Sequence, residues 1–460
     1  MFPKLKAIAP IAYVFLMTGC VAGSLLIPYP AQVQPALNAV DAGAPPPALE
    51  TKFASHGPNE LLTHLEQGRL AQIAAQDDVS KTEFDQSIGI LATRDEEARI
   101  RVSGVASQGA AVAINDNATR YDGEYYEKVF LHTFQALNYV MKGDLDGGVV
   151  EARRANAQQK AALEAFEKEV IEAKDKAREY PIENGDSSIQ AAFANMDARV
   201  GRVKYSFQVG YAFFISALIY ESRKEFNDAY IDYKKAYELA PSNTAVLKPL
   251  VRLSKQLGFA DEYPKWKKLQ GDVQPLTAQQ GEVVVLYEEG FVPAKREVSL
   301  PFFYNADKII TLSFPIYDVF WERSAPLQFN SARTESMTET QVLAAKALSE
   351  KRLQMITRQV ARAYAKGQLQ EAGRQRNGDA GQLIAQLYSV ISERADLRSW
   401  LSLPANTQVG RLTMEAGAQV LHLASNGITT DLNVEVKPGK ITLVRVIDTG
   451  SRFYARTRVL

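Results

Sequence analysis

The segment from Gly210 to Asn243 constrains this chain more than any other. Its second half, from Phe226, carries Ala229, Tyr233 and Ala236 at i, i+4 and i+7 on one helical face, and Pro241 then ends the helix. In its first half Ala217 and Tyr220 lie three apart, on the face that would meet the second helix. Small Ala217, Ala229 and Ala236 let two helix backbones approach closely, while Tyr220 and Tyr233 fill the space beside them. One hairpin of this kind cannot bury its own apolar faces, so further helices have to stack on it.

In their spacing, Ala217, Tyr220, Ala229, Tyr233, Ala236 and Pro241 resemble the 34-residue tetratricopeptide repeat. Phe213 stands where tryptophan is usual and Ser216 where leucine is usual. Weaker copies follow the same spacing: Ala136, Tyr139, Gly148, Ala152 and Ala155 counted from Val129, and Gly68, Ala71, Ser80, Phe84 and Ser87 counted from Leu61. Thr244 to Leu257 reads as a closing half-repeat with Gly258 as its stop. The charged helical stretch Ala161 to Glu179 interrupts the array. The resemblance implies a curved, groove-like surface for a protein or peptide partner. Phe213, Tyr220 and Asn227 border the expected concave face and are the candidate partner contacts.

From about Gln279 the texture changes. Glu282-Val283-Val284-Val285-Leu286-Tyr287 is a buried-strand run turned by Glu289-Gly290, and Lys308 to Phe314 is another strand before Pro315. Gln341 to Gly367 and Gly381 to Glu393 return to helix. Four short strands follow, Gln408 to Met414, Gln419 to Leu423, Thr430 to Val436 and Ile441 to Val446, separated by Gly417, Asn426-Gly427 and Pro438-Gly439. That spacing suggests a small antiparallel sheet or sandwich. The expected fold is therefore mainly α, with a helical-hairpin, tetratricopeptide-like region followed by a mixed α/β C-terminal region holding a small antiparallel sheet.

The N-terminus supplies an address. Lys4 and Lys6 precede the apolar run Ala7 to Met17, which closes as Leu16-Met17-Thr18-Gly19-Cys20, the layout of a secretory signal peptide. The run is shorter than the roughly 20 apolar residues a bilayer span needs. Leu16 to Cys20 resembles the lipobox of bacterial lipoproteins, which implies cleavage before Cys20 and acylation of its thiol; Val21 after it implies the outer membrane. Cys20 is the only cysteine, so no internal disulfide is available. The Ala- and Pro-rich stretch Ala31 to Pro47 reads as an extended or coil tether. The expected organisation is a signal peptide at 1–19, lipid anchor and flexible linker at 20–58, helical repeats at 59–270 and a mixed α+β region at 271–460.

Chemistry is harder to find. The 53 basic and 53 acidic residues cancel, which disfavours nucleic acid as a partner. His56, His64, His132 and His422 are scattered, and no metal or cofactor is expected. No G-x-S-x-G elbow or phosphate-binding loop occurs. The acidic residues Glu288-Glu289 and Glu127 would suggest glycosidase chemistry only with a cleft and a suitable separation, and otherwise read as turn and surface charges. Asp396-Leu397-Arg398-Ser399-Trp400 is either a contact hot spot or a segment fixed by burying Trp400.

Through Tyr121 to Glu127, Val284 to Pro293 and Asp396 to Pro404 the chain also resembles a group of repeat-containing lipoproteins of Gram-negative bacteria, which implies an envelope lipoprotein without assigning an activity. The expected function is a lipid-anchored, non-catalytic periplasmic scaffold or adaptor, attached to the membrane through Cys20 and binding an envelope protein or peptide. The alternatives are a cell-wall-acting enzyme with a dispersed C-terminal site and a structural subunit of an outer-membrane assembly.

Overall fold

The computed structural model describes residues 27–45, 57–103, 119–178, 187–305, 308–322, 324–362 and 394–460. Cys20, His56 and Gly381 to Glu393 lie outside them.

Gly210 to Asn243 forms two helices, α7 (Gly210–Ser222) and α8 (Phe226–Leu239). Every residue of α7 from Gly210 to Glu221 is buried, as expected of a helix apolar on all sides. The chain before it supplies two further helical pairs: α2 (Glu60–Ile73) with α3 (Asp77–Ser103), and α4 (Tyr125–Lys142) with α5 (Leu145–Arg178). Close packing in the first pair depends on a missing side chain, since a Cβ on Gly68 would lie 2.5 Å from the Phe84 ring. α6 (Ser187–Val200) leaves this stack and packs on a later helix, α11 (Thr340–Glu350). After α8 come a short 3-10 turn (Thr244–Val246), α9 (Leu247–Gln256) and α10 (Tyr263–Gln270).

The expectation of a mainly α chain with a small antiparallel sheet is incorrect. Of the described residues 52% are helix and 21% strand, and those strands build three sheets. The largest has five strands in the order β11 (Phe453–Val459), β10 (Ile441–Asp448), β1 (Gln280–Glu289), β7 (Asn406–Glu415), β6 (Glu335–Thr338). It is mixed: Val284 of β1 pairs in parallel with Leu443 and antiparallel with Arg411. A four-stranded sheet joins β5 (Ala332–Arg333), β4 (Gln328–Phe329), β8 (Gly417–Ser425) and β9 (Ile428–Val436), and among the described residues β2 (Arg296–Asn305) pairs only with β3 (Lys308–Ile316). The Asn426-Gly427 hairpin forms as its residues require, both with positive φ, 52° and 82°. Its neighbours do not extend it, because β7 and β10 flank β1 across more than a hundred residues of chain instead of joining β8 and β9. Such pairing leaves no trace in local spacing.

The continuous apolar run in β1 follows from this layering. Val284 and Leu286 face the core shared with the helices, whereas Val283, Val285 and Tyr287 face a second core against the four-stranded sheet. A strand buried on both faces has no polar side to alternate with.

The tether reading of Ala31 to Pro47 also gives way in part. Tyr29–Asp41 is a helix, α1, with Pro30 in its first turn, where no backbone N–H is needed. Tyr29, Val33, Ala36, Leu37 and Val40 recur at helical spacing and are all buried, which outweighs the coil-like composition. The Tyr454 hydroxyl donates to the Val40 carbonyl at 2.5 Å, and the Ser451 amide donates to Asp41 Oδ1 at 2.9 Å, so α1 is docked on the end of the five-stranded sheet.

Candidate functional site

The chain's own Asp396 to Pro404 packs against α2, α3 and α4. Trp400 is fully buried, edge-on to Phe84 at 5.8 Å and to Phe134 at 6.1 Å between ring centroids. Two buried carboxylates from the helices hold the backbone of this segment. Glu66 accepts from the amides of Leu401 and Ser402 at 2.7 and 3.0 Å and from the Tyr29 hydroxyl at 3.1 Å. Glu127 accepts from the Trp400 amide at 2.8 Å and the Tyr121 hydroxyl at 2.6 Å. Burial pushes the Glu66 carboxyl up to about 7, against those hydrogen bonds. Burial, with Glu124 adding to it, raises Glu127 as well. Arg398 is fastened to Asp396 at 2.7 Å and donates to the Thr119 carbonyl at 2.9 Å. Of the two readings of this motif, the geometry favours burial of Trp400.

Glu288 and Glu289 do not form an acid pair. Successive strand residues point to opposite faces, so Glu288 looks into the helical core and Glu289 toward the four-stranded sheet. Glu288 accepts from Arg445 Nε at 2.6 Å, Arg69 Nη2 at 2.6 Å and the Tyr211 hydroxyl at 2.9 Å. Burial opposes its charge, but Arg445 and Arg69 outweigh it and hold the carboxyl at about 2. Glu289, raised by burial, accepts from Asn426 Nδ2 at 3.1 Å. The arrangement fastens layers together and leaves no shared space for a substrate.

The described histidines each meet one carboxylate: His64 with Glu83 at 2.7 Å, His132 with Glu151 at 2.7 Å, and His422 with Asp431 at 2.6 Å. Among the described residues, no three His, Cys, Asp or Glu side chains gather as a metal site would require. The proposed partner contacts do not gather either. Phe213 and Tyr220 are buried in the core, and only Asn227 is exposed.

An open cleft remains, about 670 Å³ in volume, where α7, α8 and α9 meet one end of the five-stranded sheet beneath the strap Gly271 to Leu276. Its three acidic side chains are all paired. Glu221 is bridged by Arg252 and accepts from the Tyr233 hydroxyl at 2.7 Å, Glu282 meets Arg411 Nη1 at 2.6 Å, and Asp272 meets Lys267 at 2.8 Å. Burial acts against Glu221's charge, yet Arg411 and Arg252 hold its pKa below the usual carboxylate range. The side chains of three lysines on the walls have no ion-pair or hydrogen-bond partner among the described residues. Lys224 comes from the α7–α8 turn, Lys248 from the first turn of α9, and Lys440 from the turn between β9 and β10. Gly281 lets that last turn lie on β1, for a Cβ there would stand 2.5 Å from the Lys437 carbonyl oxygen. Phe226, Pro249 and Ile441 add apolar lining.

The chain matches no family model, no curated protein and no solved structure.

The cleft lysines carry no motif, and their separation in sequence, from 224 to 440, conceals their common wall. The one local signal is Lys224 itself, which adopts a left-handed backbone (φ 64°) that costs a lysine more than a glycine or asparagine.

Proposed function

We propose that the chain is a lipid-anchored periplasmic adaptor of a Gram-negative outer membrane, without catalysis of its own, which seats an envelope protein or peptide in the cleft between the helical stack and the five-stranded sheet. The cleft carries this reading. It is large enough for a ligand-sized group, its acidic side chains are satisfied internally, and its three lysines are left for something else. The helical hairpins support a scaffold role, although Asp396 to Pro404 covers part of α2, α3 and α4 and the partner seat moves to the cleft. The layout of Leu16 to Cys20 supports the anchor. Glu288 and Glu289, on opposite faces of one strand, lend no support to a hydrolase.

Photo-crosslinking in intact cells tests the reading, with a reactive side chain placed at Gln274 on the strap, at Asn227, or at Ile171 on the exposed face of α5. A discrete adduct from Gln274 that is absent from Ile171 is expected. Equal or no adducts from both would remove the cleft as the seat. Membrane fractionation of Cys20→Ser tests the anchor separately, and a processed variant that still fractionates with the outer membrane would overturn it.

A further inference from the structure

We infer that the cleft takes an acidic, partly apolar segment of a polypeptide, with carboxylates against Lys224, Lys248 and Lys440 and apolar side chains on Phe226 and Leu276. The inference rests on the cleft being the partner seat. Charge is its first support. In a chain of zero net charge, this concavity holds three positive side chains that have neither ion pair nor hydrogen bond among the described residues, because Arg252, Arg411 and Lys267 already neutralise every acidic side chain in the lining. Low-dielectric walls focus such a field, so an anionic group gains more here than on an open surface.

The distribution of the cations selects the kind of anion. A compact phosphate site converges arginine forks or backbone amides on one point. Here both arginines near the cleft, Arg252 and Arg411, are committed to Glu221 and Glu282, and the lysines stand on three separate elements. Point charges spread over three walls suit several carboxylates along an extended chain. Lys248 is half-buried, and a flat anionic bilayer would not reach it as an inserted segment does. Leu276, 39% exposed on the strap, and half-buried Phe226 offer apolar contact beside the charges. The strained backbone at Lys224 is consistent with a side chain kept for contact, not for the turn.

The test uses the purified full chain and a fluorescein-labelled ten-residue peptide of alternating glutamate and leucine, read by anisotropy. Saturable binding is expected, weakened at least tenfold by K224E/K248E/K440E and weakened by added salt. Control charge reversals at Lys168, Lys174 and Lys176, all exposed on α5, should leave it unchanged. A thermal midpoint of the triple variant within about 2 °C of the parent shows that the fold is intact. If the triple variant melts lower, single reversals at exposed Lys224 and Lys440 are compared, each expected to weaken binding severalfold. Four outcomes overturn the inference: no binding of the peptide at millimolar concentration, equal binding by the cleft variants, equal binding of a lysine–leucine peptide, or displacement of the peptide by inorganic phosphate or anionic phospholipid vesicles at comparable concentration. Cleft-specific crosslinks in cells without preference for the acidic peptide would leave the cleft as partner seat and remove this assignment alone.

Discussion

Arg445 of β10 reaches diagonally across a parallel strand pair to Glu288 of β1, with two hydrogen bonds of 2.6 and 2.9 Å between buried side chains. Arg69 of α2 joins from the helical side, and its guanidinium lies 4.4 Å above the Phe134 ring. Gln72 accepts from Arg445 at 2.8 Å and from Arg69 at 3.0 Å. One carboxylate thus ties the helical stack to the centre of the sheet, and removing it strands two arginines in the core.

Glu288→Gln should therefore destabilise the protein by about 3–5 kcal/mol, the usual cost of leaving a buried charge uncompensated. Replacing Glu288, Arg69 and Arg445 together with apolar residues of similar volume should cost less than Glu288→Gln alone. Urea denaturation of both variants measures the difference. An additive loss across the three positions would show that the cluster does not act as a unit.

Glu66 makes stability depend on pH. Its carboxyl is raised from 4.5 to about 7 in the fold, so the native state binds a proton that the unfolded chain has released. Its contribution is fully present below pH 4.5 and is lost as pH rises to about 7, a change of roughly 3 kcal/mol at most. Glu66→Gln cannot titrate, so relative to the parent it should gain stability over that window. Denaturation midpoints for both proteins at pH 4.5, 6 and 7.5 decide the matter, and a constant gap would contradict the assignment.

Trp400→Ala should cost about 3–5 kcal/mol, because the ring is wholly enclosed by Phe84, Phe134 and their neighbours. Binding of an acidic peptide in the cleft should survive at temperatures where the variant is folded. Calorimetry with anisotropy on the same sample separates the two effects. A change below 1 kcal/mol would mean that the segment is not anchored by this side chain.

Gly68→Leu should disrupt the first helical pair, since even a Cβ at this position would meet the Phe84 ring. Gly68→Leu with Phe84→Ala should recover part of the loss, as fluorescence-monitored unfolding would reveal. No recovery would place the clash elsewhere.

Legibility in the sequence followed the range of the interaction. The helices of Gly210 to Asn243 and the Asn426-Gly427 turn rest on residues within a few positions of each other, and both were readable. The spacing of the best hairpin places Phe213 and Tyr220 at an expected partner surface. They instead pack inside, because every side of α7 is covered by the chain's own helices and sheet. The composition of Ala31 to Pro47 concealed the periodic Tyr29, Val33, Ala36 and Val40, whose helix becomes favourable once the sheet end gives it a surface to bury against. Glu66 carried no signal, and Glu127 and Glu288 read as surface or turn charges, since a glutamate that will be buried with its own donors looks like any other in one dimension.

By itself, then, the sequence settled local matters: the two helices of Gly210 to Asn243, where the apolar β1 run lies, and where the Asn426-Gly427 turn folds. Each depends on side-chain period and backbone preference over a few residues. Tertiary structure alone decided that β1 pairs with β10 and β7, that Asp396 to Pro404 packs against α2, α3 and α4, and that Lys224, Lys248 and Lys440 share a cleft. Those outcomes depend on which distant surfaces can bury each other and on which charges then remain without a partner, and both are properties of the assembled chain.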